Sequence, residues 1–513
     1  MIEKISESFQ AHADRNAFYI KDRYYTYREV ARKVSAIRNC LLPRMHMLEP
    51  KYIGVMIYDD LDTYCSCIGI LLSGCGYVPL NPLNPIERNL EIIEQAELKL
   101  ILSSQREASV KLQPGPATGF IFSAELPFAT ENIDFPRLRD EDPAYVIFTS
   151  GSTGKPKGTP ITHGNLNAFL DSVRHLGWKI GPEDRFLQMS SLTFDMSIIT
   201  FIIPLCIGAC IYTVPEDEIK YLSAYKLLEE NQITFAAVVP STLAYLRPYF
   251  HDIQLPALRY SLVCGEAFPI ELAAKWSICA PNARIVNIYG PTEATVFTHS
   301  YHYRPGTAEK SYNDIMAIGE IVKNMEAVIM GDDMKPVARG QKGELCVSGT
   351  QLSKGYLRDP QRNRDSFFLQ ETRAYEKKKF YRTGDIVFQD EEGVFMYVGR
   401  SDNQVKIQGF RVELGDIEKH ARDFVDSKPA VALAQLNRFG NQQIHLVVEK
   451  NSRQKEEIIA YLNTKIPFYM IPANITVVER MPLNANGKID RRKLAALISP
   501  LPEAGKEPPR INR

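Results

Sequence analysis

Short apolar runs of strand length alternate with helical stretches along much of the chain, and this alternation constrains the fold more than any other feature. Each run stops at a polar or glycine-rich turn, as the buried strands of parallel sheets do. The pattern therefore predicts an α/β protein with mainly parallel sheets. The runs are YIGVMIY (52–58), LKLILSS (98–104), AYVIFTS (144–150), ITFAAVVP (233–240), YSLVCGE (260–266) and ARIVNIYG (283–290).

Three of these runs lead directly into residues that are suited to chemistry. TSGSTG follows AYVIF, CGE follows YSLV, and YGPTE follows RIVN. In open α/β sheets, ligands bind beyond the carboxyl ends of the strands. We therefore expect the ligand site at these turns.

The character of the sequence changes near residue 343. GELCVSGTQLSKGYL and KFYRTGDIVF indicate β-rich segments with tight turns, and VFMYVGRSDNQVKIQGFRVELGDIEKHARDF predicts a strand, a turn, a strand and a helix. Residues 402–495 have the size of a small independent α/β domain. The tail SPLPEAGKEPPRINR is rich in proline and charge, so we predict that it is disordered.

Composition limits the classes of function. Lysine plus arginine equals aspartate plus glutamate, at 61 each, which argues against nucleic acid as the main partner. The N-terminus lacks the apolar segment of a secretory signal, and the 9 cysteines form no CxxC pair, so we expect reduced thiols in the cytoplasm.

The apolar run at 198–214 contains Pro204 and Gly208 and lacks basic flanks. It therefore predicts a buried helix followed by a strand, without membrane insertion.

The segment TSGSTGKPKG, from Thr149 to Gly158, has the composition of a phosphate-binding loop. Glycines allow the backbone to approach an anion closely, and hydroxyls, amides and lysines stabilise it. The P-loop pattern of nucleoside triphosphatases does not fit, because Pro156 follows Gly154-Lys155 and Thr149 stands where the first glycine belongs. From this segment alone, a polar surface loop remains an alternative.

The same segment resembles the phosphate loop of the adenylate-forming superfamily, which includes acyl-CoA synthetases, luciferases and amino-acid adenylation domains. The resemblance extends over almost the whole chain, because further motifs occur in the family's order. They are TYREV (26–30), GYVPLNP (76–82), FDMS (194–197), NIYGPTEATV (287–296), GELCVSGTQLSKGYL (343–357), YRTGD (381–385), GRSDNQVKIQGFRVELGDIE (399–418) and NANGKIDR (484–491).

The resemblance implies a domain organisation. A large N-terminal domain (1–398) would combine α/β subdomains, whose sheets are mainly parallel, with a small β subdomain. A hinge at 399–402 would connect it to a small mobile α+β lid domain (403–497), and 498–513 would form the tail. Asp402 matches the family's hinge position, and the lid is expected to rotate between two half-reactions.

The resemblance also implies the reaction and its cofactors. A substrate carboxylate attacks the α-phosphate of ATP, which gives an acyl-adenylate and pyrophosphate, and a thiol then takes the acyl group. Glu293 would hold Mg²⁺, and Asp385 would accept hydrogen bonds from the ribose. The other residues implied for ATP binding are Thr149, Ser150, Gly151, Ser152, Thr153, Gly154, Lys155, Asn287, Ile288, Tyr289, Gly290, Pro291, Thr292, Tyr397, Val398, Gly399 and Arg400.

Lys488 is the catalytic residue that the resemblance implies. Taken alone, a lysine in a polar turn is ordinarily a solvated surface residue. In the family, the lid inserts this lysine between the substrate carboxylate and the α-phosphate, where its charge offsets the developing negative charge. For the second half-reaction, the turn at 408–416 would replace Lys488 and line the tunnel for the thiol.

Asp195 of FDMS indicates the class of substrate. In members that activate amino acids, the matching aspartate pairs with the α-ammonium group, although Asp195 could instead cap the following helix. The presumed pocket is otherwise apolar and includes Met196, Cys264 and Val296, which predicts a small or neutral side chain. The resemblance is closest to stand-alone amino-acid adenylation domains and D-alanine–carrier protein ligases, so D-alanine is the favoured substrate.

The acceptor thiol is expected on a separate carrier protein that bears phosphopantetheine, since the chain ends soon after Lys488. Carrier proteins are usually acidic, and the basic segment at 491–493 is a candidate contact, or simply a solvated helix end. Three alternatives remain open. They are a stand-alone enzyme of the nonribosomal-peptide type for another neutral amino acid, an acyl- or aryl-CoA ligase, and a non-enzymatic nucleotide-binding scaffold.

Overall fold

The computed structural model describes residues 2–129, 138–151, 155–216, 218–306, 309–371, 376–484 and 488–498. Three residues predicted to bind phosphate (Ser152, Thr153 and Gly154) and nearly all of the predicted tail lie outside the described residues. Helices and strands alternate as the sequence predicts, and the fold is α/β.

The helices are α1 (Ile2–Ala11), α2 (Tyr27–Leu41), α3 (Leu61–Leu71), α4 (Ile86–Gln95), α5 (Glu107–Leu112), α6 (His163–His175), α7 (Ser197–Ile207), α8 (Lys220–Glu230), α9 (Pro240–Leu246), α10 (Ile270–Cys279), α11 (Pro360–Ser366), α12 (Leu414–Phe424), α13 (Lys455–Asn463) and α14 (Arg491–Leu497). Short 3₁₀ turns lie at Leu42–Met47, Ser123–Glu125, Arg247–Tyr249, Thr292–Ala294 and Phe468–Met470.

The strands are β1 (Asn16–Ile20), β2 (Arg23–Thr26), β3 (Tyr52–Met56), β4 (Gly76–Leu80), β5 (Leu100–Ser103), β6 (Gly119–Phe122), β7 (Pro143–Thr149), β8 (Lys157–Thr162), β9 (Arg185–Gln188), β10 (Cys210–Thr213), β11 (Phe235–Val238), β12 (Tyr260–Val263), β13 (Arg284–Tyr289), β14 (His299–Tyr303), β15 (Ser311–Tyr312), β16 (Ile315–Met316), β17 (Glu320–Ile321), β18 (Met325–Met330), β19 (Gly343–Gly349), β20 (Phe367–Glu371), β21 (Lys377–Gln389), β22 (Phe395–Arg400), β23 (Gln404–Ile407), β24 (Phe410–Glu413), β25 (Ala430–Leu436), β26 (Gln442–Glu449) and β27 (Asn474–Val478).

Two large sheets form the core of the N-terminal part. A 9-stranded sheet has the order β17-β14-β13-β12-β11-β9-β10-β1-β2, and a 6-stranded sheet has the order β6-β5-β3-β4-β7-β8. Their central strands pair in parallel, for example β12 with β11 and β13, and β3 with β4 and β5. All six predicted apolar runs are strands of these sheets, so this prediction is confirmed.

The apolar run at 198–214 forms helix α7 and then strand β10. Gly208 ends the helix at φ +77°, and a Cβ there would lie 2.1 Å from Cδ2 of His12, so only glycine fits this turn. The prediction of a buried helix followed by a strand is confirmed. Within the described ranges, the structure has no helix with the length and apolar character needed to span a membrane.

A β-rich unit follows the large sheets. It is a 5-stranded sheet in which β18, β19, β21 and β20 lie side by side and β22 pairs with β21. The antiparallel register of β21 and β22 places Asp385 opposite Arg400. This pairing places both side chains in the wall of one cavity.

The C-terminal region, residues 403–498, has a hydrophobic core of its own. The hairpin β23–β24 and the sheet β25-β26-β27 pack with α12 and α13 around buried residues such as Val412, Ile417, Leu446 and Ile458. A separate core gives such a unit the means to move as a body. The domain boundaries at 399–402 remain a prediction.

Candidate active site

A cavity lies where the turns after β12 and β13, the strands β21 and β22, and the hairpin β23–β24 meet. It therefore lies beyond the carboxyl ends of two parallel strands, as expected. Many of the predicted site residues line it: Asp195, Met196, Cys264, Asn287, Ile288, Tyr289, Gly290, Pro291, Thr292, Val296, Asp385, Tyr397 and Arg400. Val398 and Gly399 belong to the same strand as Tyr397 but do not line the cavity.

Asp195 lines this cavity and is 5% exposed. Its Oδ2 atom has no hydrogen-bond partner among the described residues. Burial raises the pKa of Asp195 to about 6, although a hydrogen bond with Thr292 and the charge of Lys406 lower it. Helix α7 begins at Ser197 without a side-chain cap, so the structure gives no support to the capping alternative. The carboxylate is thus available to a cationic ligand.

The walls beside Asp195 are apolar. Met196, Cys264, Ile288 and Val296 line the cavity, and Phe297 is buried but does not line it. Val296 adopts φ +74°, which is unfavourable for a β-branched residue. The preceding Thr295 fixes this turn, because its hydroxyl donates to the Gln351 carbonyl at 2.6 Å. These apolar residues suit a small ligand group without charge, although the charged side chains of Glu266 and Lys406 also line the cavity.

Polar side chains also line the cavity. The hydroxyl of Tyr289 donates to Oδ2 of Asp385 at 2.5 Å, and Nη1 of Arg400 donates to Oδ1 at 2.7 Å. Arg400 also binds both carboxylate oxygens of Asp402, at 2.7 and 2.8 Å. Arg400 therefore connects Asp385, which is predicted to bind the ribose, with Asp402, which is the predicted hinge residue.

Glu293 lies beside the phosphate loop and is 1% exposed. The hydroxyl of Tyr356 donates to its Oε1 at 2.5 Å, Nη1 of Arg411 lies 3.2 and 3.3 Å from its two oxygens, and Nζ of Lys157 lies 4.0 Å away. Burial raises the pKa of Glu293, but the charges of Arg411 and Lys157 outweigh this effect and lower it to about 2. Glu293 is therefore an ionised carboxylate in the interior.

The donor set fits a magnesium ion that is shared with a substrate. The described residues contain no group of three or more histidine, cysteine, aspartate or glutamate side chains that could hold a metal. Mg²⁺ is commonly bound through one or two carboxylates together with substrate phosphates and water. Glu293, an ionised carboxylate near the phosphate loop, meets this requirement.

The phosphate loop starts where β7 ends at Thr149. Ser150 is buried, and its hydroxyl donates to the carbonyl of Arg411 at 2.7 Å and accepts from the amide of Glu413 at 3.2 Å. Gly151 is also buried, whereas Lys155 is exposed. In this structure the hairpin β23–β24 thus covers the start of the loop.

Lys488 does not reach the cavity in this arrangement. It is exposed, and its amide donates to Oδ1 of Asn484 at 3.0 Å while its carbonyl accepts from the amide of Asn484 at 2.7 Å. Lys406 of the hairpin lines the cavity instead and lies 5.8 Å from the ring centre of Tyr289. The hairpin of the C-terminal region, and not Lys488, therefore faces the cavity in this structure, and the role of Lys488 remains a prediction.

Glu266 connects the large sheet to this hairpin. Its Oε1 accepts from the amide of Gly409 and its Oε2 from the amide of Ser241, both at 2.8 Å. The sequence gives no indication of these contacts, nor of those made by Arg411, Lys157 and Tyr356. All four residues lie inside recognisable motifs or apolar runs, but their contacts join distant parts of the chain.

Comparison with known proteins agrees with this geometry. The profile of a family described as AMP-binding enzyme matches residues 5–357. Tyrocidine synthase 2 of Brevibacillus parabrevis is 30% identical over 96% of this chain, and tyrocidine synthase 1 of the same organism is 28% identical over 98%. The chain spans only 13% and 46% of these two relatives.

Two solved structures match this chain over nearly their full length. The Vibrio cholerae adenylation domain AlmE, determined in complex with glycyl-adenosine-5'-phosphate, has a TM-score of 0.84 and 26% identity, with 96% of this chain and 97% of that chain covered. PA1221, a nonribosomal peptide synthetase protein containing adenylation and PCP domains, has a TM-score of 0.80 and 26% identity, with 98% and 97% covered.

Proposed function

We propose that this chain, which belongs to the AMP-binding enzyme family, is an adenylate-forming ligase whose substrate is an amino acid with a small neutral side chain. D-Alanine is the favoured candidate. The observation that carries this proposal is the buried carboxylate of Asp195, which lines the cavity and whose Oδ2 lacks a hydrogen-bond partner among the described residues. Such a carboxylate is costly unless a cation compensates it, and the α-ammonium group of an amino acid does so.

In the proposed first half-reaction, a carboxylate oxygen of the amino acid attacks the α-phosphorus of ATP, and the bond to pyrophosphate breaks. Asp195 holds the ammonium group, and Asp385 accepts hydrogen bonds from the ribose hydroxyls. Bound Mg²⁺ would neutralise phosphate charge, with Glu293 as its protein ligand. Positioning two mutually repelling anions in one cavity is the main contribution of the protein.

In the proposed second half-reaction, a thiolate attacks the aminoacyl carbonyl, and AMP leaves. A second cavity between the N-terminal part and the C-terminal region is the proposed route for the thiol, since it shares Phe194 and Met196 with the first. Val239, Gln408 and Phe410 also line it. A phosphopantetheine arm on a separate carrier protein, in the cytoplasm, is the proposed donor of this thiol.

A patch that attracts an acidic carrier must be exposed. Arg492 and Lys493 are exposed, whereas Arg491 is half-buried and donates to the Ala432 carbonyl at 2.9 Å. Only two of the three basic residues at 491–493 are therefore open to a partner.

ATP–pyrophosphate exchange with a panel of acids tests the substrate class. Glycine, both enantiomers of alanine, serine and larger amino acids are compared with acetate, propionate and benzoate. We expect exchange with small amino acids, highest with D-alanine, and little with acids that lack an amino group. Exchange that is equally fast with alanine and propionate would contradict the proposal.

The pH dependence of activity should report on Asp195. Only its carboxylate form pairs with an ammonium group, and its pKa is raised to about 6. We expect kcat/KM for the amino acid to fall about tenfold per pH unit below roughly pH 6 and to level off above it. A pH profile of exchange measures this, and Asp195→Asn should lack this acidic limb. If the pH profile of Asp195→Asn keeps the same acidic limb, that limb reports the titration of another group.

Gly409→Ala should slow the second half-reaction more than the first. Gly409 has φ +83°, and a Cβ there would lie 2.6 Å from Cγ1 of Val239. Forcing this contact costs on the order of 1–3 kcal/mol, so we expect thioester formation to fall by roughly tenfold or more. Single-turnover transfer from adenylate to a carrier thiol measures the effect.

Gly440→Ala is the matched control for that variant. Gly440 also has φ +83°, but a Cβ there meets nothing within 4 Å. The control therefore carries the same backbone penalty without the contact between hairpin and sheet. Equal losses of transfer in the two variants would show that contact with Val239 is unimportant.

A further inference from the structure

Two buried tyrosines of the 6-stranded sheet act on the carboxylate of Asp195 from outside the cavity. We propose that Tyr77 and Tyr145 are positioning residues for Asp195, and that their hydroxyl dipoles keep its carboxylate charged and available to the substrate's ammonium group. Neither tyrosine lines the cavity, so each acts through Asp195. This inference rests on the proposed function, because it uses the pairing of Asp195 with an ammonium group.

The pairing of β4 with β7 holds the two tyrosines side by side. The parallel register places Tyr77 opposite Tyr145, and their ring centres are 5.7 Å apart. Both side chains are fully buried, in the same hydrophobic core as Met196 and Ile198, which follow Asp195 in the chain. Strands β4 and β7 both lie inside the 6-stranded sheet, so the two rings are fixed on a rigid element.

The two tyrosines interact electrostatically with Asp195. Burial raises the pKa of the Tyr145 hydroxyl well above its usual range, and the charge of Asp195 raises it further. The pKa of Tyr77 is raised by burial first and then by the nearby groups Cys67, Tyr145 and Asp195. Both hydroxyls therefore stay protonated. A hydroxyl proton rotates toward a neighbouring anion, and such a dipole stabilises a carboxylate strongly in a medium of low dielectric constant.

Both hydroxyls are buried without a hydrogen-bond partner in the part of the chain that the structure describes. The same holds for Oδ2 of Asp195 and for the hydroxyl of Ser197, two residues further along the chain. A buried hydroxyl without a partner costs stability, and phenylalanine would fill the same space without that cost. The presence of two such hydroxyls beside one carboxylate points to a function that outweighs this cost.

The tyrosines differ from the other groups that act on Asp195 in where they are anchored. Glu293 raises the pKa of Asp195, and Lys406 lowers it. Lys406 belongs to the hairpin β23–β24, so its effect depends on the position of the C-terminal region. Tyr77 and Tyr145 belong to the same N-terminal part as Asp195, so their effect does not. We therefore expect them to set how strongly the cavity prefers a ligand with an amino group.

Calorimetric titration of the full chain with two adenylate analogues tests this inference. Alanyl-sulfamoyl adenosine carries the amino group and propionyl-sulfamoyl adenosine lacks it, so the ratio of their Kd values isolates the contribution of the ammonium group. In the wild type we expect the alanyl analogue to bind at least about 100-fold more tightly. In Tyr77→Phe and in Tyr145→Phe we expect this preference to fall about five- to tenfold, because each variant lacks one dipole at the charge. A general disturbance of the cavity would weaken both analogues alike.

Two controls make the result specific. Tyr27→Phe makes the same change at another fully buried tyrosine, whose hydroxyl donates to the carbonyl of Ala209 at 2.8 Å. It should lower the melting temperature and leave the preference unchanged. In an Asp195→Asn background, the addition of Tyr145→Phe should alter the preference by less than about twofold, since no charge remains for the hydroxyl to stabilise. Thermal unfolding checks that each variant is folded.

The outcomes separate this inference from the proposed function. If the wild type prefers the alanyl analogue and both tyrosine variants keep the full preference, the inference is overturned and the proposed function stands. The same conclusion follows if Tyr145→Phe lowers the preference by the same factor with and without the charge at residue 195. If the wild type binds the two analogues equally, the proposed substrate class is wrong, and this inference is overturned with it.

Discussion

Lys488→Ala is expected to lower the rate of adenylate formation by roughly 100- to 1,000-fold while ATP still binds. A fall of this size is expected because the variant lacks one preorganised positive charge at the reacting phosphate. Lys488 is exposed in the structure, so a large effect would require a second arrangement of the C-terminal region. ATP–pyrophosphate exchange measures the rate, and calorimetric titration with ATP measures binding.

Lys450→Ala is the matched control for Lys488→Ala. Lys450 is exposed in the same region and forms an ion pair with Glu479 at 2.8 Å. Neither residue has a proposed role in the reaction. It should leave exchange within about twofold of the wild type, because exposed ion pairs contribute little. Normal exchange in Lys488→Ala would refute the catalytic role. In Lys488→Ala, transfer of the aminoacyl group from a separately supplied aminoacyl-adenylate to the thiol should be slowed much less. In that step the hairpin β23–β24 of the C-terminal region, and not Lys488, is expected to line the cavity.

Asp195→Asn is expected to raise the KM for the amino acid by about 100-fold or more and to change the KM for ATP by only a few-fold. Leaving one member of a buried ion pair without its partner costs about 3–5 kcal/mol, and each 1.4 kcal/mol is a factor of ten. Asparagine preserves the shape of the side chain and removes its charge. Steady-state exchange kinetics with each substrate varied in turn measure both constants.

Two comparisons sharpen the test of Asp195. Asp333→Asn makes the same change at an exposed turn and should leave both constants unaltered. In Asp195→Asn, the preference for alanine over propionate should shrink, because propionate lacks the ammonium group and the cavity no longer holds an unpaired charge. Equal increases in both KM values would argue against pairing with the ammonium group.

The sequence predicted the large sheets well because hydrophobic periodicity is a local signal. It did not predict the hairpin β23–β24, because one strand was expected before α12. The predicted turn at 408–416 is also too long, since residues 410–413 form β24 and α12 begins at Leu414. Gln408 and Gly409 both have positive φ, at 51° and 83°, and form a two-residue turn between the paired residues Ile407 and Phe410. Asn-Gly and Asp-Gly are the usual sequences for such a turn, and Gln-Gly is a weaker signal.

The site could be predicted in part. Motif residues such as Asp195, Tyr289 and Asp385 line one cavity as expected, because each motif fixes a residue at the end of a strand or in a turn. Their partners were not predictable. Arg411 meets Glu293 across 118 residues of sequence, and such contacts depend on how the C-terminal region docks. A single sequence contains no signal for docking.

The central claim is that the cavity holds an aminoacyl-adenylate whose ammonium group is bound by Asp195. A crystal structure with a non-hydrolysable alanyl-sulfamoyl adenosine tests it most directly. We predict that the amino nitrogen lies within hydrogen-bonding distance of the Asp195 carboxylate and that the ribose hydroxyls lie against Asp385. A structure in which Asp195 is turned away from the amino group, or in which the adenosine binds outside this cavity, would contradict the claim.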